Sequence, residues 1–415
     1  MTAYSRLPKT RPNNSILALL LLATLSVSEL ASGQSHADDA WVSTWATSPS
    51  TVLDADEDVP ELNNQTVRLI VHTSAGGNSL RLRLANYHGD NPLAVGAVAV
   101  ALQNETHSIL PGSSKPVTFG GAANITIARG AVVISDPIAF PVPALTNLAV
   151  SIYVPEASGF VTAHRLSNQT NYISATGNHV SATELVNAAE SPAWNLLTAI
   201  DVISTDSSST IVVVGDSITD GWGSTDSANQ RWPDHFARRL FADNSIPDFA
   251  IANAGISGNR VTTEGSPMFG ENLQARFERD ALALSNVSHM VIMEGINDIG
   301  MSARGGALVS ADAIIGGYRQ LIARAHSQGI KVIGATLTPY EGAAYYTPEG
   351  EQVRQAVNAF IRTGGVFDGV IDFEKAVQDP ANPARILPGF TADNLHPNDE
   401  GYKAMADIID LNLFR

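Results

Sequence analysis

The hydrophobic period of this chain changes once, near residue 204, and that change limits what the chain can fold into. From Trp41 to about Ile203 apolar residues recur at every second position, as in Val67, Leu69, Val71 and in Leu80, Leu82, Leu84 with Arg81 and Arg83 between them. Side chains on a strand alternate between faces, so this pattern predicts half-buried strands. Further candidates are Ala94 to Leu102, Ala123 to Ile127, Ala131 to Ile134 and Leu148 to Val154, separated by turn material such as Gly76-Gly77-Asn78 and Gly120-Gly121. Many short strands with no long helical pattern predict an all-β sandwich or jelly-roll-like domain over residues 38–203. The polar stretch Ser204 to Thr210 reads as a linker.

Beyond it, over residues 211–415, five short apolar runs appear: Ile211 to Val214, Phe249 to Ile251, His289 to Met293, Lys331 to Leu337 and Val366 to Phe373. Helix-like stretches separate them, with Trp232, Phe236 and Leu240 at four-residue spacing, then Ala311 to His326 and Glu351 to Arg362. Strand alternating with helix predicts a doubly wound α/β domain whose strands are mostly parallel.

Residues 1–37 form a different kind of segment. Arg6, Lys9 and Arg11 precede an apolar run from Ile16 to Val27, followed by small residues at Ala31, Gly33 and Ala37. This is the pattern of a secretory signal peptide. The apolar run falls short of the roughly 20 residues a membrane span needs, so no stable membrane insertion is expected after cleavage. The expected destination is the cell exterior, or the periplasm in a Gram-negative host. The formal charge is -16, and the leader's net +2 would leave -18, a balance that disfavours nucleic acid and anionic membranes as partners. Cysteine is absent, which removes thiol nucleophiles, disulfides and thiolate metal sites. Oligomeric state is not legible.

In open parallel sheets ligands bind beyond the carboxyl ends of the strands. The polar residues gather there. Gly215-Asp216-Ser217-Ile218-Thr219 follows the first run, Asn253-Ala254-Gly255-Ile256-Ser257-Gly258-Asn259-Arg260 the second, and Gly295-Ile296-Asn297-Asp298 the third; Asp393-Asn394-Leu395-His396-Pro397 follows the fifth. A serine on a strand-to-helix turn projects its hydroxyl above the sheet. His396 is a candidate base for Ser217, and Asp393 a candidate orienter of that base. The backbone N–H groups of Ser217 and Gly258 and the side-chain amide of Asn297 are candidate oxyanion donors. Taken singly these are ordinary turn residues; their order, each at the end of an expected strand or in the final loop, carries the signal.

These four blocks resemble those of the SGNH hydrolase superfamily, the GDSL esterases and lipases. Ser217 matches the nucleophile, Gly258 the glycine donor, Asn297 the asparagine of Gly-x-Asn-Asp, and Asp393 with His396 the terminal Asp-x-x-His. The first block has isoleucine at position 218 where the family's popular name has leucine. The resemblance implies a flavodoxin-like three-layer domain with a mostly parallel five-stranded sheet and a serine esterase that uses an acyl-enzyme. The β-rich half, with Trp41-Val42-Ser43-Thr44-Trp45 and Arg83-Leu84-Ala85-Asn86, resembles the domain that precedes the catalytic domain in some secreted members, including carbohydrate esterases. Short acyl esters, acetyl foremost, on plant or other extracellular polysaccharides are the expected substrates.

Trp222, Arg260, Glu294 and Tyr340 follow strand ends or the nucleophile and are candidate substrate-binding residues; Glu341 is weighed with them. Asp216 and Asp298 are expected to brace loops, and Trp41 and Trp45 to belong to the sandwich core rather than to a sugar platform. His72, His88, His107, His164 and His179 are scattered without ligand spacing. No metal or cofactor is expected. Other readings are a lipase, arylesterase or thioesterase with the same residues, a metal-dependent phosphoesterase on Asp216, Asn297, Asp298 and His396, and a non-catalytic carbohydrate-binding protein.

Overall fold

The computed structural model describes residues 41–51, 59–185, 187–204 and 206–415, so the signal-peptide assignment lies outside the described residues. The period-two half forms antiparallel sheets, as its alternation requires. One runs through Trp41–Ala46, Leu197–Ile203, Gly77–Ala85 and Val132–Ile134, with Ile138–Val142 also paired to Gly77–Ala85. The other runs through Ala189–Ser191, Asn171–Thr176, Gln65–His72, Asn147–Val154, Ala97–Leu102 and Lys115–Val117. Val67, Leu69 and Val71 from one sheet meet Leu80, Leu82 and Leu84 from the other in a single buried core. Trp45 is in that core too, edge-on to Trp194 at 5.1 Å, as expected for a packing residue.

The alternation misled in one respect. Arg81 and Arg83 occupy the face opposite the leucines, but that face is not open to water. Arg81 Nε donates to Asp201 at 2.9 Å and its Nη2 to Ser285 Oγ at 3.0 Å, while Arg83 Nη1 donates to the carbonyl of Ala283 at 2.8 Å. The second half of the chain covers this face, and polar residues facing a protein seam look in the sequence like polar residues facing solvent.

The second half is built on five parallel strands: β1 (Ser207–Gly215), β2 (Asp248–Gly255), β3 (Val287–Met293), β4 (Lys331–Ala335) and β5 (Gly369–Ile371), in the order β2-β1-β3-β4-β5. Val212 and Val214 point to one face, Ile211 and Val213 to the other, and both faces are buried. The first face packs on Ile314, Leu321 and Val357 of helices α4 (Ala311–His326) and α5 (Pro348–Thr363). The second packs on Trp232 and Phe236 of α2 (Trp232–Ala242) and on Tyr402 and Met405 of α6 (Asp399–Asp407). Two short helices complete the set used below, α1 (Ser217–Asp220) and α3 (Ile296–Arg304). This is the flavodoxin-like order, in which the chain leaves β1 toward β2 on one side while β3 lies on the other; loops diverge there and open a crevice.

β1 begins at Ser207, inside the stretch read as a linker, and Ala40–Arg415 is one compact unit. The polarity of that stretch serves the seam. Thr210 Oγ1 accepts from the Ser43 amide across the seam at 2.9 Å while donating to the Ser285 carbonyl of its own half at 2.7 Å, and Ser209 Oγ meets Ser288 Oγ of the neighbouring β3 at 2.6 Å. Asp201 is a hub of this seam, accepting from Ser43 Oγ, Arg81 Nε and Ser285 Oγ. Replacing it with alanine leaves a mostly buried guanidinium unpaired, and Asp201→Ala should cost about 3 kcal/mol in urea unfolding; a loss under about 1 kcal/mol would show that water replaces the carboxylate.

Candidate active site

Ser217 opens α1 immediately after β1. The turn forms because Asp216, extended at the N-cap, accepts the Ile218 amide at 3.0 Å, and because Gly221 closes the helix in a left-handed conformation. Ser217 Oγ lies 2.9 Å from His396 Nε2, and His396 Nδ1 lies 2.6 Å from Asp393 Oδ2. The other oxygen of Asp393 accepts the backbone amides of His396 and Leu395 at 2.8 and 3.0 Å. Partial burial alone would raise the Asp393 pKa; the hydrogen bonds from the His396 ring and these amides outweigh it and hold the carboxyl well below the usual range. Asp393 therefore stays ionised and fixes the ring with Nε2 toward the serine.

The histidine loop reaches the serine because Gly223 lets it. A Cβ there would stand 2.9 Å from the Pro397 carbonyl oxygen and 3.3 Å from His396 Cβ, and φ is +92°. Asp399, at the start of α6, accepts the amide and hydroxyl of Thr225, each at 2.7 Å, which ties the two loops together.

Gly258 follows β2 at φ +80°, with the Phe269 ring where a Cβ would be. Asn297 lies in the first turn of α3, after β3. Tyr345 donates its hydroxyl to Asn297 Oδ1 at 3.2 Å and Nδ2 donates to the Asn259 carbonyl at 3.2 Å. Ser217, Gly258, Asn297 and His396 line one pocket of about 180 Å³, walled by Leu166, Trp222, Ser257, Met301, Tyr345 and Leu395. Such a pocket places a hydroxyl, a base with an anionic partner, and amide donors around one small apolar hollow. It has the parts needed for acyl transfer.

Beneath the pocket lies a buried group of carboxyls. Asp298 accepts the amides of Val261 and Thr262 and the Thr262 hydroxyl, bracing the loop after Gly258. Glu294 is fully buried, 3.7 Å from Arg276. Burial, with Asp216 close by, pushes its pKa well above the usual carboxyl range. Arg276, also buried, holds the carbonyls of Gly215 and Ala254, Asn259 Oδ1 and Ser48 Oγ. Burial likewise raises Asp216 to about 7, against the hydrogen bond from the Ile218 amide.

The structure thus brings together Ser217, Asp393, His396, Gly258 and Asn297. Of the four residues offered for substrate binding it places only Trp222 on the pocket, half-exposed and edge-on to His396 at 6.3 Å. Three are corrected. Arg260 turns away to Thr263 Oγ1 and the Glu264 carbonyl; Glu294 faces the buried Arg276; and Tyr340 is sealed in the core between Tyr345 and Tyr346. The loop carrying Tyr340 was the right one, but Tyr345 five residues on is the residue that reaches the pocket. Leu166, from the β-rich half, carries no signal in the sequence because its contact is purely tertiary. Among the described residues no group of three or more histidine, aspartate or glutamate side chains is gathered as a metal site.

Residues 213–404 match the model of the GDSL-like Lipase/Acylhydrolase family. That stretch carries a GDSL-like lipase/acylhydrolase domain, and the match supports a hydrolase acting on esters. Similar solved structures include a GDSL-like lipase from Bacteroides thetaiotaomicron, at 22% identity over 49% of this chain and 87% of that one, TM-score 0.37. Others are an acetyl xylan esterase, AlAXEase, at 24% over 48% and 96%, TM-score 0.37, and a catalytic mutant of the acetylxylan esterase Axe2 from Geobacillus stearothermophilus, at 22% over 49% and 92%, TM-score 0.37. Comparison with the curated proteins gives no match.

Two measurements check this electrostatic and geometric description. A carboxyl raised to about 7 holds a proton in the folded state that the unfolded chain has released, so folding is favoured less as pH rises through that window. Asp216→Asn keeps the helix cap and removes the titration; it should gain urea stability over wild type at pH 8 and little at pH 5, and an equal change at both would refute the raised value. Tyr345→Phe frees the Asn297 amide to rotate and should lower kcat roughly tenfold, with KM for a small acetyl ester nearly unchanged; a change confined to KM would make Tyr345 a wall of the pocket and nothing more.

Proposed function

We propose that this protein is an exported serine esterase that removes short acyl groups, acetyl foremost, from hydroxyl-rich alcohols such as extracellular polysaccharide. The observation that carries it is the relay Asp393–His396–Ser217, at 2.6 and 2.9 Å, opening on a small pocket that also holds Gly258 and Asn297. His396 Nε2 takes the Ser217 proton as Oγ attacks the acyl carbon, while Asp393 stabilises the imidazolium. Negative charge then collects on the former carbonyl oxygen. The amides of Ser217 and Gly258 and Asn297 Nδ2 receive it, each contributing on the order of 3 kcal/mol to lowering the barrier. His396 returns the proton to the departing alcohol, and water repeats the path in reverse to free the acid.

Leu166, Trp222, Met301, Tyr345 and Leu395 make the walls apolar and the hollow short, which supports a short acyl chain. On the alcohol side, Leu166 and Trp222 are shared with a second cleft of about 390 Å³, lined also by Asn168, Gln169, Thr170, Glu190 and Asp226. An aromatic edge beside amides, a hydroxyl and carboxylates suits a neutral, hydroxyl-rich alcohol. The leader pattern in residues 1–37 supports export.

The test is release of acetate from acetylated xylan alongside a p-nitrophenyl ester series from acetate to palmitate, with Ser217→Ala as the blank. Ser217→Ala should lower kcat by at least about 10³-fold without loss of fold, and activity should fall beyond butyrate. Retention of a tenth of the activity by Ser217→Ala would overturn the mechanism. Small-ester turnover with no acetate from xylan would overturn the polysaccharide assignment alone.

A further inference from the structure

We infer that His164, which belongs to the β-rich half, is a positioning residue for the oxyanion-binding loop and acts through Asp220, so that the domain preceding the hydrolase domain is part of its catalytic apparatus. This rests on the serine-esterase reading above.

His164, on the short strand Ala163–His164, is 3% exposed. Its Nδ1 lies 2.7 Å from the Ser48 carbonyl oxygen and its Nε2 3.0 Å from Asp220 Oδ1. A carbonyl only accepts, and so does an ionised carboxylate. Both ring nitrogens then carry protons, and the pair is an imidazolium facing a carboxylate. Burial opposes the charge on His164; Asp220 and the Ser48 carbonyl overcome it and raise the pKa, with Arg231 opposing more weakly. The Trp194 ring packs at 5.6 Å and closes the site from the β side.

Asp220 faces the other way as well. Its second oxygen accepts both the amide of Ser257, at 3.0 Å, and the Ser257 hydroxyl, at 2.7 Å. Ser257 immediately precedes Gly258. Asp220 is also the last residue of the helix that Ser217 begins, and its backbone packs so tightly on Gly255 that a Cβ there would meet the Asp220 nitrogen at 2.5 Å. One carboxylate therefore sets the distance between the serine turn and the Gly258 turn, and a histidine from the neighbouring domain neutralises it and holds it in place. A buried ion pair is a poor source of stability, but oxyanion donors act only within about 2.7 to 3.1 Å of the charge they meet. Without His164 the buried Oδ1 loses its partner, and the carboxylate turns toward water. That releases Ser257 and lets the Gly258 amide drift.

The experiment uses the purified full chain and p-nitrophenyl acetate. His164→Ala should lower kcat by about 10²-fold, the scale of a one-ångström misplacement, with KM within about twofold of wild type. His164→Gln, whose amide can still donate to Asp220, should recover most of the loss. Ser257→Ala should lose kcat in the same sense, and the double variant His164→Ala/Ser257→Ala should be little worse than His164→Ala alone, because both act through Asp220. Methylboronic acid, which forms a tetrahedral adduct on the serine, should bind more weakly in proportion to the loss in kcat. A His164→Ala enzyme that melts lower but turns over at the wild-type rate overturns the inference, as do losses that multiply in the double variant. Should His164→Ala not fold, wild-type kcat and boronate affinity in Ser257→Ala overturn it instead. Activity retained by Ser217→Ala would strike at the serine mechanism, which is a separate failure.

Discussion

A guanidinium cannot shed its charge inside a protein, so wherever it is buried the surrounding chain must arrange itself to satisfy five donors. Arg276 imposes that constraint here. It is 1% exposed and gathers the carbonyl ending β1 at Gly215, the carbonyl of Ala254 near the end of β2, the side chain of Asn259 beside Gly258, and Ser48 from the β-rich half. Asp280, 3.4 Å from Nη1, supplies the charge that faces it, and the buried Glu294 carboxyl lies 3.7 Å away. The ends of the two strands that present Ser217 and Gly258 are thus cross-linked from below by one side chain. The loops above are free to carry chemistry because their roots are fixed.

The same logic extends to the boundary between the two halves. At the seam, polar groups of one half are satisfied by the other: Asp201 with Ser285, Arg83 with the Ala283 carbonyl, Ser74 Oγ with the backbone of Ile251, His164 with Asp220. Ala46 and Ala199 pack in the core of the α/β half, and Ala250 of β2 in the core of the β-rich half. Small residues allow the strands to approach, and the polar groups fix their register. Leu166 then reaches the pocket around Ser217 as a consequence of that seam.

What the sequence disclosed follows from the range of the interactions involved. Alternation by two and the apolar runs are local properties, and they place the sandwich, β1 to β4 and the helix Ala311–His326. The catalytic candidates were legible for a related reason, since a parallel sheet puts every carboxyl end of a strand at one edge and Ser217, Gly258 and Asn297 need only be near an end, while His396 comes from the loop before α6. Side-chain direction beyond that edge was not legible. Tyr340 and Tyr345 share a loop, and only the packed structure decides which is core and which is pocket. Glu294 follows β3 like a pocket residue but is drawn under the sheet end by Arg276, whose short helix Leu273–Phe277 gives no hint of a buried cation. The stretch 204–210 looks like a linker because a serine and a threonine that hydrogen-bond inside the fold, Ser209 to Ser288 and Thr210 to Ser43, have the same composition as a loop. His164 looked like one scattered histidine among several, since its partner lies 56 residues away on the other half.

The central claim is that Ser217, with its hydroxyl 2.9 Å from His396 Nε2, is the activated nucleophile of this chain. Its most direct test is intact-mass and peptide-mapping analysis of the enzyme after brief exposure to a fluorophosphonate at neutral pH. The account predicts one adduct per chain, on Ser217, that does not form in His396→Ala. Labelling of another residue, or equal labelling of Ser217 without the histidine, would contradict it.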